Sequence, residues 1–297
     1  MKKFDPKVCH LGYVSMGVTD IARSFDYYGK TLGLVEADRE SDSAFLSVGA
    51  EHHNIILRRA SEKSFLGLGY QLQPGTDLES FANAARHFGL TAQIKSDSQP
   101  EIPQLVEVVG PGGHVFEFFD TALNGGPGFG LTGIRPLRLG HVAVISPETK
   151  KLRSFYEDFL GFHYTDDIGG VATFMTCNRD HHVVNLTNAP ESRLHHVAFE
   201  LSDNADHVKA SDILASAGIP TLWGPSRHCA GHNLAAYHFD PDKVMIELYT
   251  QMDVYVPALG SFEPRPWHEQ NPQVPMSWGI DKMANWETGF TFDLVKA

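Results

Sequence analysis

Apolar and polar residues alternate along Leu194–Leu201, the pattern of a strand whose side chains point to opposite faces in turn. His195, Val197, Phe199 and Leu201 fall on one face, and His196, Ala198 and Glu200 on the other. The run Val244–Leu248 alternates likewise: Val244, Ile246 and Leu248 form an apolar face, while Met245 and Glu247 point the other way. Helices are expected over about Leu78–Phe88 and Asn204–Ala217.

The two halves of the chain repeat this layout. Leu11-Gly12-Tyr13-Val14 precedes a helix-like stretch with Phe25, Tyr27 and Tyr28, then Leu32-Gly33-Leu34. Leu139-Gly140-His141-Val142 precedes Phe155 and Tyr156, then Leu160-Gly161-Phe162, and the interval from Tyr13 to Gly33 equals that from His141 to Gly161. A glycine there suits the left-handed residue that ends a helix. Each half holds a second such unit, beginning near Leu68-Gly69-Tyr70 and at His195. Gly110-Pro111 stands as far before Glu117 as Asp240-Pro241 stands before Glu247, each turn leading into a strand-like run. The unit reads as one strand, one helix and three strands, four times over. The fold class is therefore α+β, four βαβββ modules in two domains, each domain a half-open sheet around a cavity. The expected boundaries are 1–124, a Gly- and Pro-rich linker 125–136, a second domain 137–256, and a tail 257–297 packing over it as loops and a short helix.

At 297 residues and 42% hydrophobic, the chain is long and apolar enough for two cored domains. Its net charge of −12 argues against nucleic acid and anionic membrane partners. Cys9, Cys177 and Cys229 form no paired framework, which points to a reducing cytoplasm, and Met1–His10 carries no apolar core of a secretory signal. A homo-oligomer is expected.

His141, His196 and Glu247 stand on separate strand-like runs and could form a two-histidine, one-carboxylate site for Fe(II). Ala143 and Ala198 share faces with the two histidines and leave room beside them, whereas His195 reads as a core histidine. A structural zinc site would call for four closed ligands, often cysteines, and Cys177 and Cys229 lack that spacing. Mn(II) shares the ligand preferences of Fe(II). His181 and His182 point to opposite faces of a strand, so one of them can face a cavity and the other cannot. Glu51-His52-His53 reads as a solvated turn between strands. In the first half Tyr13 stands where His141 does, the counterpart of His196 falls near Gly69 or Tyr70, and Glu117 alone keeps a ligand type; that half reads as structural support.

The segment Tyr237-x-x-Asp240-Pro241, running on to Glu247, resembles the signature of the vicinal oxygen chelate superfamily, and more narrowly of the two-domain type I extradiol catechol dioxygenases. The resemblance covers about Val8 to Gly279, and Asn271-Pro272-Gln273 with Trp278-Gly279 is similar to the closing segment of the homoprotocatechuate 2,3-dioxygenase branch. Asp242-Lys243 replaces the usual glycine after the proline. The resemblance implies a glyoxalase-like fold with His141, His196 and Glu247 as ligands of Fe(II), or of Mn(II). It implies catalytic roles for His181 (acid/base, with a one-residue slip to His182 the alternative), His228 (facing substrate) and Tyr237. It implies O2-dependent ring cleavage of a catechol in aromatic degradation. Trp223 and the Gln273–Trp278 stretch lack the arginines expected for a carboxylated substrate, so an uncharged catechol is expected: alkyl-, aryl- or polyhydroxylated. The alternatives are a glyoxalase- or thiol-transferase-like metalloenzyme of the same superfamily and a metal-free small-molecule binding protein.

Overall fold

The structure, a computed structural model, describes residues 4–122, 125–283 and 286. The chain divides into two compact units, one of Lys7–Leu139 with Asp240–Asp242, the other chiefly Gly140–Phe239 and the chain from Lys243 onward.

In the first unit β1 (Val8–Val18) leads through α1 (Ile21–Asp26) to β2 (Val35–Glu40), β3 (Ser43–Ser47) and β4 (Ile55–Arg59). β5 (Ser64–Leu72) leads through α2 (Leu78–His87) to β6 (Thr91–Gln99), β7 (Ile102–Val109) and β8 (Val115–Phe119). The sheet order is β2-β3-β4-β1-β5-β8-β7-β6. Each module folds its last strand back parallel to its first, β4 on β1 and β8 on β5, and the modules meet where β1 and β5 run antiparallel.

The second unit repeats the plan with β9 (Arg138–Ser146), α3 (Thr149–Ser154), β10 (His163–Ile168), β11 (Ala172–Thr176) and β12 (Val184–Asn188). Its second module holds β13 (Arg193–Glu200), α4 (Asn204–Ser216), β14 (Trp223–Arg227), β15 (Leu234–Phe239) and β16 (Met245–Thr250). The four expected βαβββ modules are thus present, two in each unit. The tail adds more than loops and a short helix. β17 (Tyr255–Val256) and β18 (Ser261–Phe262) form a hairpin, and β19 (Met276–Trp278) runs parallel to β10 as a ninth strand. Residues 287–297 of the expected tail lie outside the described residues.

Local chemistry sets the helix limits. Asp20, Asp77 and Asp203 cap α1, α2 and α4, accepting from the backbone N–H of Arg23, Ser80 and Ala205 at 3.0, 2.8 and 2.8 Å. Each cap satisfies an N–H that the helix itself leaves open and contributes about 1 kcal/mol. α1 and α3 both widen into a π-type turn, Tyr27–Leu32 and Phe155–Phe159, which turns Tyr28 and Phe155 fully into the core. The glycines expected after them are left-handed, Gly33 at φ 87° and Gly161 at φ 78°. Lys243, at the place of the missing glycine, takes φ 63° and lays its ammonium over the Phe239 ring. The segment 125–136 is fastened down: Gly126 donates to the carbonyl of Ala50, and Arg135 donates to that of Leu32. Among the described residues no helix is long and apolar enough to cross a membrane.

A Cβ at Gly161 would lie 2.7 Å from the Asp5 carbonyl oxygen as well as demanding a positive φ. Gly161→Ala should therefore lower the unfolding free energy by roughly 1–3 kcal/mol in urea titration; an unchanged midpoint would contradict that close approach.

Candidate metal centre

β13 and β16 run parallel with Ala198 opposite Glu247 and His196 opposite Met245. The period of two then puts His196, Ala198 and Glu247 on one face, and the small Ala198 opens the space in front of the carboxylate. β15 runs antiparallel beside β16 with Tyr237 opposite Glu247. On β9, His141 reaches the same point. Its Nε2 and that of His196 each lie 3.2 Å from Glu247 Oε2, and the three potential ligand atoms lie within 4.8 Å of one another. All three side chains are buried.

The surroundings fix this group. Asn233 Nδ2 donates to Glu247 Oε1 at 2.7 Å, and the Tyr237 hydroxyl donates to Oε2 at 2.9 Å. That phenol has one proton, so His228 Nε2, 2.9 Å from the same oxygen, is the donor to it. The Trp223 indole stacks on His228 at 4.8 Å and 18°, holding the ring plane. His195 Nδ1 lies 2.8 Å from His196 Nδ1, which leaves His196 Nε2 to face the carboxylate.

Burial alone would raise the Glu247 carboxyl, but the electrostatic pull and hydrogen bond of His141, with the electrostatic pull of His196 and His228, overcome it and hold the group well below the usual carboxylate range. Burial pushes His182, His196 and His228 down, so their imidazoles are neutral. It also pushes the Tyr237 phenol up, with the charge of Glu247 adding to it. Neutral imidazoles and an ionised carboxylate are the forms that bind metals. His196 Nε2 is buried without a hydrogen-bond partner, a costly state for a nitrogen lone pair that a cation would relieve. The residues present therefore fit a divalent cation.

Beside the triad lies a cavity of about 100 Å³, faced by strands from β9 to β16 and closed by Ile280 and Met283 of the tail. Of the expected residues, His141, His196, Glu247, His228 and Tyr237 all border it. His181 does not. Its ring stacks on Phe262 at 5.1 Å, and its Nε2 lies 3.0 Å from Asp166 Oδ2. The histidine at the cavity is its neighbour His182, whose ring centroid is 4.2 Å from that of His141. Of the two expected alternatives, His182 borders the cavity, and the bend before β12 turns His181 toward Asp166 and Phe262. His195, read from the sequence as a core residue, both borders the cavity and steadies His196.

A model of the Glyoxalase/Bleomycin resistance protein/Dioxygenase superfamily matches residues 10–121 and again 138–248, one match per half of the repeat. The chain belongs to this superfamily. It is 26% identical over 251 residues to the metapyrocatechase of Pseudomonas sp. (strain CF600), covering 77% of this chain and 82% of that one. It is 24% identical over 297 residues to the manganese-dependent 2,3-dihydroxybiphenyl 1,2-dioxygenase of Geobacillus genomosp. 3, covering 92% and 94%. The solved homoprotocatechuate 2,3-dioxygenase of Arthrobacter globiformis superposes with a TM-score of 0.84 at 22% identity, covering 100% of this chain and 93% of that one.

In the first module pair other side chains take up the equivalent carboxylate. Tyr13 donates to Glu117 at 2.6 Å and Gln99 donates to the same oxygen at 2.8 Å. Glu117 lies opposite Gly69 as Glu247 lies opposite Ala198, so the counterpart of His196 is Gly67 rather than Gly69 or Tyr70. Tyr70 points into the core, stacked on Phe118. A Cβ at Gly69 would fall 2.3 Å from the Tyr13 ring, so the phenol occupies the ligand space. His53 is buried against Tyr13 and Phe45, with its pKa lowered to about 3 by burial, and is not a solvated turn residue. Among the described residues one other cluster has the right atoms for a metal, His232, Asp253 and His268. There both carboxylate oxygens already accept ring N–H groups, from His232 at 2.7 Å, His268 at 2.9 Å and Trp267 at 3.2 Å, and the cluster reads as structural. Sequence reasoning missed Asn233, whose tie to Glu247 crosses a loop and follows no periodicity.

His196→Ala should abolish stoichiometric metal binding. His195→Ala should weaken it about 10- to 100-fold, because it frees the His196 ring. Metal titration followed by elemental analysis checks both, and undiminished affinity in His195→Ala would contradict the steadying contact.

Proposed function

We propose that the protein is an extradiol ring-cleaving dioxygenase that uses Fe(II) or Mn(II) to insert both atoms of O2 into a single-ring, uncharged catechol. The observation that carries this reading is the convergence of two imidazoles and one carboxylate beside an apolar cavity bordered by His182, His228 and Tyr237. The catechol dioxygenase names of the relatives support it. A single glutamate with two histidines, and a first half whose site Tyr13 fills, speak against a glyoxalase- or thiol-transferase-like enzyme with a glutamate-rich set.

His141, His196 and Glu247 would hold the ion, which when bound supplies Lewis acidity and an electron path between the catechol and O2. The chain does the rest. Asn233 and Tyr237 keep Glu247 oriented through both of its oxygens. His182, neutral through burial, offers an imidazole at the cavity wall that can take up and return the proton released by the catechol. His228 is held in plane by Trp223 with its N–H on the Tyr237 oxygen, so this pair presents a fixed polar edge to the substrate. Ile168, Val171, Phe174, Ile280 and Met283 exclude water from the remaining wall.

Substrate character follows from that wall. Among the described residues no lysine or arginine lines the cavity, and a carboxylate buried there would lack a cationic partner. A volume of about 100 Å³ is of the order of engineered cavities that hold one benzene ring. The three cysteines are free, which supports a reducing compartment.

Protein purified without oxygen and loaded with Fe(II) or Mn(II) should take up O2 with 4-methylcatechol and form a yellow ring-fission product. Its kcat/KM for 4-methylcatechol should exceed that for 3,4-dihydroxyphenylacetate by at least about tenfold, the cost of an uncompensated charge. No bound metal and no O2 uptake would sink the whole reading; a preference for the acid would sink the uncharged substrate alone.

A further inference from the structure

We propose that His181 is a positioning residue that fixes the ring and the tautomer of His182, and that Asp166 and Trp278 fix His181 in turn. The inference rests on the ring-cleavage reading and concerns residues behind the cavity wall. Asp166 is buried at the start of a chain of hydrogen bonds. Its Oδ1 accepts from the backbone N–H of Met276 at 2.8 Å, and its Oδ2 accepts from Trp278 Nε1 at 2.7 Å. Backbone and indole N–H groups can only donate, and a carboxylate can only accept. His181 Nε2, 3.0 Å from the same Oδ2, therefore carries the hydrogen of that contact.

A neutral imidazole with its hydrogen on Nε2 has a bare Nδ1. That atom lies 3.0 Å from His182 Nδ1, so His182 is the donor across this link. Its own Nε2 is then the bare nitrogen, and it belongs to the ring that borders the cavity. Polarity thus runs one way, from a carboxylate through two rings, and ends in a proton acceptor at the substrate.

The middle ring has no freedom to reverse it. His181 is fully buried and lies between Phe262, stacked at 5.1 Å and 26°, and Phe174, edge-on at 5.9 Å. Gly231 closes the remaining side at φ 75°, and a Cβ there would stand 2.9 Å from His181 Nδ1. The His181 backbone N–H is tied to the Asp253 carbonyl at 2.9 Å. The Asp166 end is anchored where β19 adds to β10, with Asp166 opposite Met276.

Two variants of the metal-loaded enzyme separate this role from packing. His181→Leu keeps bulk between the two phenylalanines but removes the acceptor for His182. His181→Asn keeps a carbonyl oxygen near the position of Nδ1. With 4-methylcatechol, His181→Leu should lose at least about tenfold in kcat. Its KM and metal content should stay near those of the wild type, and His181→Asn should recover most of the loss. Equal losses in the two variants, or a His181→Leu kcat within about twofold of wild type, well inside the range assigned to proton transfer, would overturn the proposal. If His181→Leu does not fold, neutron diffraction of the wild-type protein decides instead. Deuterium on His182 Nδ1 and none on Nε2 is expected, and the opposite placement overturns it. Wild-type enzyme that holds metal yet takes up no O2 with any catechol is a different result, which removes the ring-cleavage reading and this role with it.

Discussion

A buried carboxylate has to be answered, and in this protein the answer to Glu247 organises everything around it. Taking an ionised carboxyl out of water costs several kcal/mol unless partners replace the lost solvation. Two imidazoles, a phenol and an amide do so here, each from a different strand or loop. The requirement fixes the register of β13 on β16, the side of β15 that faces inward, and the height at which β9 passes. The cavity is what remains beside that arrangement. Because Glu247 is held ionised and His196 Nε2 is left without a hydrogen-bond partner, a divalent cation is the simplest group that answers both.

The first unit places a half-buried carboxylate at the equivalent point. There a phenol and an amide, Tyr13 and Gln99, donate to Glu117. With Tyr13 in place of a histidine, its ring fills the space over the bare Gly69 where a ligand would stand. One module plan thus supports two outcomes, decided by which side chain stands opposite a glycine or an alanine. The scaffold is repeated, and a few side chains decide which copy brings two histidines to its carboxylate.

The repeat, the helix limits and the left-handed glycines could be read from the sequence because each depends on neighbours in the chain. Alternation along β13 separated His196 from His195 because Ala198 marks the roomy face. Alternation could not choose between His181 and His182. That choice depends on Asp166, Phe262 and Trp278, which come from other elements and are invisible to a local pattern. Asn233 and β19 escaped for the same reason: β19 has three residues, too few for periodicity, and its place is set by pairing with β10. The contact between His195 and His196 was hidden because opposite faces of a strand do not prevent adjacent ring nitrogens from meeting.

The tail gives the molecule an order of construction. Chains emerge from the ribosome from the N-terminus, and all three residues of the triad precede Ile280 and Met283, the last cavity-lining side chains among the described residues. The three ligand residues can therefore come together before that part of the wall is laid down. The segment from Met276 to Met283 supplies both this wall and two donors to Asp166, so one short stretch of chain completes the cavity lining and holds the carboxylate behind it.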